Sequence, residues 1–237
     1  MTPRPALWKS IADTLSAEMA GGHYAPGDRL PTEAQLSARF GVNRHTVRHA
    51  LATLAEAGLT HSRRGAGVYV TAAPTDYPLG RRVRFHQNLA ASGRTASRET
   101  LRLETRKADA REAEALVLHN GAEVHVFEGL SLADGVPLAM FRSVFPAARF
   151  PGLPSRLAEV ASVTAALAAE GLPDYTRAST RLTAKAAHGT LALQLRLAEG
   201  APILRSVAVN VDAAGVPVEY GHTWFAGDRV TLTVTPE

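Results

Sequence analysis

At 237 residues, with 46% hydrophobic and 20% charged side chains, the chain has the composition of an ordinary globular protein and length enough for two domains. It contains no cysteine, which excludes a disulfide framework, a thiolate nucleophile and a zinc–thiolate site. No apolar run approaches the roughly 20 residues that cross a bilayer, and MTPRPALWKS has no apolar run before a small-residue cleavage site, so a cytoplasmic protein is expected.

The net charge of +4 is modest, but it is unevenly spread. Between Gln35 and Val70 stand Arg39, Arg44, Arg48, Arg63 and Arg64 against the single acid Glu56. A second basic stretch covers residues 81–107, and the remainder is acidic on balance. Positive charge gathered in the N-terminal third points to a polyanionic partner there.

In chain order, Leu7, Ile11, Leu15 and Met19 recur every four residues and predict a helix that ends at Gly21-Gly22. Thr32-Glu33-Ala34-Gln35 fits a capping box opening a short second helix that buries Leu36 and Phe40 and stops at Gly41. Asn43 caps a third helix with an apolar stripe of Val47, Ala50, Leu51 and Leu54. Residues 59–62 and 68–70 read as two short strands around a basic, glycine-containing hairpin tip, RRGAG.

This order is that of a winged helix-turn-helix. Asn43, Arg44, His45, Thr46 and Arg48 occupy the first turns of the third helix, away from Val47 and Leu51, where a recognition helix faces the major groove. Arg44 and Arg48 can grip guanine or phosphate, and Asn43 and Thr46 suit a phosphate or a base edge. The wing tip, Arg63, Arg64, Gly65 and Gly67, would meet the adjacent minor groove or backbone. His45 and His49 have the spacing of a two-histidine metal pair, but no third ligand is evident and no metal is expected. A flank or packing role suits His49 equally.

Residues 1–72 are therefore expected to form the DNA-binding domain, and TAAPTDYPLG, without periodicity, marks 73–80 as a linker. In 81–237, VHVFEGLSLADGVPLAMFRSVFP and PILRSVAVNVDAAGVPVEYGHTWF are strand-turn-strand runs with turns at Asp134-Gly135 and Ala214-Gly215. They repeat one another: Gly135-Val136-Pro137-Leu138 matches Gly215-Val216-Pro217-Val218, and Arg142-Ser143 matches His222-Thr223. Helix-like stretches, Ala108–His119 and Lys185–Glu199, precede the two copies. Helix plus hairpin, twice, implies an α+β domain on an antiparallel sheet.

GDRLPTEAQLSARFGVNRHTVRHALATLAEAGLTHSRRGAGVYV resembles the winged domain of GntR-type bacterial transcription regulators. The duplicated DGVP hairpins are similar to the effector-binding UTRA domain of the HutC subfamily, which has a chorismate-lyase-like fold. YPLGRRVRF, FPAARFPGL and PVEYGHTWFAGDRV most resemble regulators of phosphonate metabolism, the PhnF type.

The resemblance implies a homodimeric repressor on an inverted-repeat operator, with a small anionic effector in the C-terminal domain and no cofactor. It implies DNA contacts at Asn43, Arg44, His45, Thr46, Arg48 and Gly65. Ala34 departs from the arginine common in the family, which removes one expected contact. Sugar-phosphate-responsive relatives carry arginines where this chain has Gly129-Leu130-Ser131, so an amino-sugar phosphate is disfavoured.

Arginine supply lies instead in Arg82, Arg84, Arg142, Arg177 and Arg181, and a phosphate-sized anion needs such bidentate donors. Arg84 and Arg142-Ser143 are expected to hold the anion, with Glu219, Tyr220 and His222 on an amine or hydroxyl of the same ligand. For Arg142 the alternative is a paired strand arginine, and for Glu219 and Tyr220 it is packing. No Ser/His/Asp arrangement, phosphate-cradling glycine loop or divided carboxylate pair supports an enzyme. The remaining alternatives are a regulator of another catabolic pathway and a DNA-binding dimer without an effector.

Overall fold

Ile11, Ala12 and Leu15 bury one side of α1 (Leu7–Ala20), while Leu7, the first member of the expected stripe, stays exposed. In α2 (Glu33–Phe40) the capping box forms: Gln35 N–H donates to Thr32 Oγ1 at 3.3 Å, and Thr32 N–H donates to Gln35 Oε1 at 2.8 Å. Leu36 is fully buried and Phe40 only partly. Gly41, at φ 64°, ends α2 in the left-handed conformation and lets the chain turn into α3 (Arg44–Glu56). Val47, Ala50, Leu51 and Leu54 bury α3 against α1 and α2. Strands β1 (Thr60–Arg63) and β2 (Gly67–Val70) pair antiparallel as the wing. Residues 28–30 join the far side of β2 through Leu30 N–H to Val68 O, 2.8 Å, and Val70 N–H to Asp28 O, 2.9 Å.

The computed structural model describes residues 6–63, 65–71, 74–80, 95–160 and 162–234. The chain divides into two compact units, 1–73 and 74–237. That division corrects the expected linker of 73–80. Thr75–Pro78 form β3, paired in parallel with β10 (Val230–Thr233), and Tyr77 is buried in the second unit's core. The four alternate buried and exposed, but the inward Thr75 is polar and hides the pattern, and their partner lies at the other end of the chain.

The second unit is a six-stranded antiparallel sheet built from β4 (Ala96–Lys107), β5 (Glu123–Ala133), β6 (Val136–Pro146), β7 (Thr176–Ala186), β8 (Pro202–Val211) and β9 (Pro217–Ala226). Their order in the sheet is β4-β5-β6-β9-β8-β7. Helices α4 (Ala110–Leu116), α5 (Leu153–Glu159), α6 (Val163–Ala169) and α7 (Gly189–Gln194) cover it. The repeat is β4-α4-β5-β6 followed by β7-α7-β8-β9, and it reaches backbone detail. Asp109 and His188 are equivalent N-cap residues, and Val117 and Arg196 leave the two helices at φ 54° and 52°. The stretch 185–199 is less helical than expected, because Lys185 and Ala186 belong to β7.

Arg142, the repeat equivalent of His222, is also its partner across β6 and β9. The internal two-fold axis therefore passes between these two residues. One face of the sheet packs under α4 and α7 through the Leu116–Val126–Val144 and Leu130–Leu195–Ile203 clusters. The other packs under α5 and α6 through Phe127, Phe145 and Phe150, and under β3 and β10 through Tyr77 and Phe225.

Two side chains lock this second face to its cover. Arg98 donates to the carbonyls of Leu157 and Val160 at 2.8 and 2.9 Å, serving carbonyls at the end of α5. His125 is buried, with Nε2 donating to Phe150 O at 3.1 Å and Nδ1 accepting from Thr105 Oγ1 at 2.7 Å. This neutral tautomer satisfies both nitrogens, and burial pushes the proton affinity of His125 below its ordinary 6.5 against the pull of the Phe150 carbonyl. His222 is lowered too, by burial first and then by Arg142 and Arg205.

A histidine lowered by folding takes up its proton more readily in the unfolded chain, so its stabilisation is complete above 6.5 and is lost as pH falls toward the folded value. The melting temperature of the full chain should fall as pH drops below about 6.5, before carboxylates titrate. His125→Asn should flatten part of that decline. A melting temperature flat through this window contradicts the assignment.

Candidate DNA-reading edge and effector face

On α3, Asn43 Oδ1 accepts from Thr46 N–H at 2.9 Å and from Thr46 Oγ1 at 3.0 Å, so the cap holds both side chains at the helix start. Arg44, His45 and Arg48 are exposed beside them, and the first turn contains no acid to oppose the positive helix end. Arg48 Nε reaches Glu33 Oε2 at 2.8 Å; both are solvent-exposed, and such pairs are weak enough for a phosphate or base to displace. His49 stacks on Trp8 with ring centroids 4.3 Å apart, a contact that suits the packing role.

The wing register sets Arg63 opposite Gly67, and Gly65 is exposed at the tip. Arg64 lies outside the described residues. A residue missed in the sequence completes this edge. Arg29 bridges to Tyr69 on β2, and its Nε lies 2.8 Å from where a Cβ on Gly67 would stand. At φ 108°, Gly67 is thus glycine for two reasons: its backbone, and the guanidinium across it. Arg29 is exposed and has no carboxylate partner among the described residues. Only the pairing of residues 28–30 with β2, remote in sequence, reveals it.

In the second unit the expected effector residues separate by strand pleat. Adjacent strand residues point to opposite faces, so Arg142, Tyr220 and His222 lie on the α4/α7 face, and Ser143, Glu219 and Arg177 on the α5/α6 face. The expectation that Arg142 and Ser143 grip one anion together is therefore corrected. Arg142 is a paired strand arginine, bound to Glu112 at 3.0 Å and Glu128 at 3.5 Å. Buried Glu112 also takes Arg106 bidentately at 2.7 Å, and its carboxyl is held below the usual range by Arg106, Asp109 N–H and Arg142 against the cost of burial. His222 sits between Tyr220 and Trp224, 4.7 and 5.8 Å between centroids. Arg82 and Arg84 lie outside the described residues.

The α5/α6 face gathers a buried polar chain. Ser143 Oγ donates to Glu219 Oε1 at 2.5 Å, Asn210 Nδ2 donates to Glu219 Oε2 at 2.6 Å, and Arg177 Nε donates to Asn210 Oδ1 at 3.3 Å. Glu219 is 9% exposed and has no cationic partner among the described residues. Tyr77 is packed nearby, its hydroxyl proton affinity pushed up to about 12 by burial, with Arg177 and Glu219 close enough to act on it. Gly129 offers no room for a side chain: a Cβ there would stand 2.5 Å from Glu99 O and 2.7 Å from the Phe141 ring. Among the described residues no group of three or more His, Asp or Glu is placed to hold a metal, and no helix is long and apolar enough to cross a membrane.

A helix-turn-helix with a basic wing, followed by a duplicated antiparallel sheet with buried polar groups on one face, defines a DNA-binding transcriptional regulator with an attached sensory-type domain. The chain belongs to the GntR family of bacterial regulatory proteins, HutC type. Residues 7–70 match the family's DNA-binding model, and residues 91–231 match the UTRA domain. It is 40% identical to an uncharacterized HTH-type transcriptional regulator of Rhizobium meliloti, over 97% of this chain and 94% of that one. It is 32% identical to the "Probable transcriptional regulator PhnF" of Escherichia coli, over 98% and 96%. The crystal structure of PhnF from Mycobacterium smegmatis superposes with a TM-score of 0.67 at 26% identity, covering 96% of this chain and 99% of that one. These relatives are regulators, and the chain is a regulator rather than an enzyme.

If Arg29 grips phosphate beside the wing, Arg29→Ala should weaken binding equally on specific and random DNA and lower the salt slope by about one counterion. Arg29→Lys should retain the slope. Fluorescence anisotropy across a salt series decides; an unchanged slope in Arg29→Ala removes Arg29 from the interface.

Proposed function

We propose that the chain is a homodimeric repressor that reads an inverted repeat with Arg44, His45, Arg48 and the wing. A small metabolite with an anionic end and an amine or hydroxyl end, of the aminoalkylphosphonate kind, sets its DNA affinity from the α5/α6 face. The observation that carries the effector half is Glu219, a buried carboxylate given two neutral donors and no cation among the described residues. A ligand ammonium would supply the missing charge, and Arg177, held by Asn210, would take the phosphonate.

Similarity to the two PhnF proteins along nearly the whole chain supports the phosphonate class. The Phe141 ring over Gly129 supports a ligand smaller than a sugar phosphate, because no arginine can project from that position. Arg82 and Arg84 are proposed as further anion donors. Coupling to DNA would run through β3, which opens the second unit directly after the DNA-binding one and buries Tyr77 against this face.

Selection from random DNA should return an inverted repeat. On that repeat Arg48→Ala should lose roughly 10- to 100-fold in affinity if it holds a guanine bidentately; equal loss on random DNA would mean a backbone contact. Calorimetry with 2-aminoethylphosphonate should show saturable binding that Glu219→Gln weakens about tenfold or more. Undiminished binding in that variant would move the effector elsewhere.

A further inference from the structure

The register pairs run in unbroken rows across all six strands. The central row reads Arg102, Glu128, Arg142, His222, Val207, Arg181. The rows on either side read Glu104, Val126, Val144, Tyr220, Val209, Ser179 and Glu99, Leu130, Met140, Trp224, Arg205, Thr183. All three rows lie on the α4/α7 face. The internal two-fold exchanges the two halves, so each residue of the first repeat has a readable counterpart in the second.

That comparison exposes an imbalance. Glu99, Glu104 and Glu128 of the first repeat have Ser179, Thr183 and Val207 as counterparts, whereas the counterpart of Arg102 is again an arginine, Arg181. In the first half the charges close on one another: Arg102 meets Glu104 at 2.7 Å, and Arg106 and Arg142 share Glu112. In the second half Arg181 has no ion-pair partner among the described residues; Arg205 Nε is buried without a hydrogen-bond acceptor, as is Arg142 Nε in the first half. Of the acids Glu99, Glu104 and Glu128 none is matched in the second half, while Arg181 matches Arg102 and Arg205 stands where the first half has Val126.

A cleft of about 470 Å³ opens on this uncompensated half. Arg111 and Glu114 of α4 line one side, Arg181 and Ser179 of β7 the other, with Val207 and Val209 as floor and Tyr220 at the end. Arg111, like Arg181, is exposed and unpaired among the described residues, and Glu114 is the one carboxylate on the lining.

We infer that this cleft binds a small organic anion of the phosphate or phosphonate type, at a site separated by the thickness of the sheet from Glu219. Two guanidinium groups can hold the anionic oxygens, the Ser179 and Tyr220 hydroxyls can donate to them, and the valines take an apolar body. The volume is that of a small-molecule site.

The test is a titration of the full chain with phenylphosphonate, followed by calorimetry and by the amide resonances of Ala115, Ser179 and Val209. Saturable shifts at those amides are expected. Binding should weaken about tenfold or more in Arg111→Ala/Arg181→Ala and equally in Val207→Glu, which restores the acid the first repeat carries at the equivalent place. Glu219→Gln should leave these shifts unchanged, so this inference and the effector reading fail separately. If Val207→Glu does not fold by circular dichroism, Arg181→Gln takes its place. No saturable shift at those amides, full binding in the charge variants, or shifts abolished by Glu219→Gln would each overturn the inference.

Discussion

The antiparallel pairing of Arg142 on β6 with His222 on β9 is the constraint on which the second unit rests. It joins the two repeats about an internal axis, and it fixes, residue by residue, which side chains face α5 and α6 and which face α4 and α7. A slip of one residue would send Glu219 and Ser143 to the face that now holds the Glu112 ion pairs. Register is therefore what keeps Glu219 with its neutral donors on one side and the Glu112 ion pairs on the other.

Two chemically different faces follow from one sheet. On the α5/α6 face, Glu219 is satisfied by hydroxyl and amide donors and left without a described counter-charge, an arrangement that costs stability unless something completes it. On the α4/α7 face, Arg106 and Arg142 of the first repeat share Glu112, while Arg181 of the second has no ion-pair partner among the described residues. In the DNA-binding unit the side chains proposed to read DNA hang from a packed frame: the Asn43 cap and the buried Val47–Leu54 stripe below them, and the wing braced by residues 28–30.

Much of this was legible in the sequence because it is local. The Thr32–Gln35 box, the Asn43 cap, the α3 stripe, the wing and the Gly-Val-Pro repeat each declare themselves within a few residues. What was hidden depends on distant partners. β3 reads as a linker because its partner, β10, lies at the opposite end of the unit. Arg29 carries no signal until the chain returns to place Gly67 beneath it. The pairing of Arg142 with Ser143 failed for a different reason: the two-residue period was available in the sequence, and neighbours in a strand cannot share a face. Asn210, the link between Glu219 and Arg177, carries no signal until the register is known.

The account stands on one thermodynamic link between the two units. The direct measurement is the dissociation constant of the selected inverted repeat with and without saturating 2-aminoethylphosphonate, alongside that of the phosphonate with and without the DNA. A coupled regulator requires both constants to change by one common factor, and Glu219→Gln to bring that factor toward unity. Two ligands that bind with constants indifferent to each other would contradict the account.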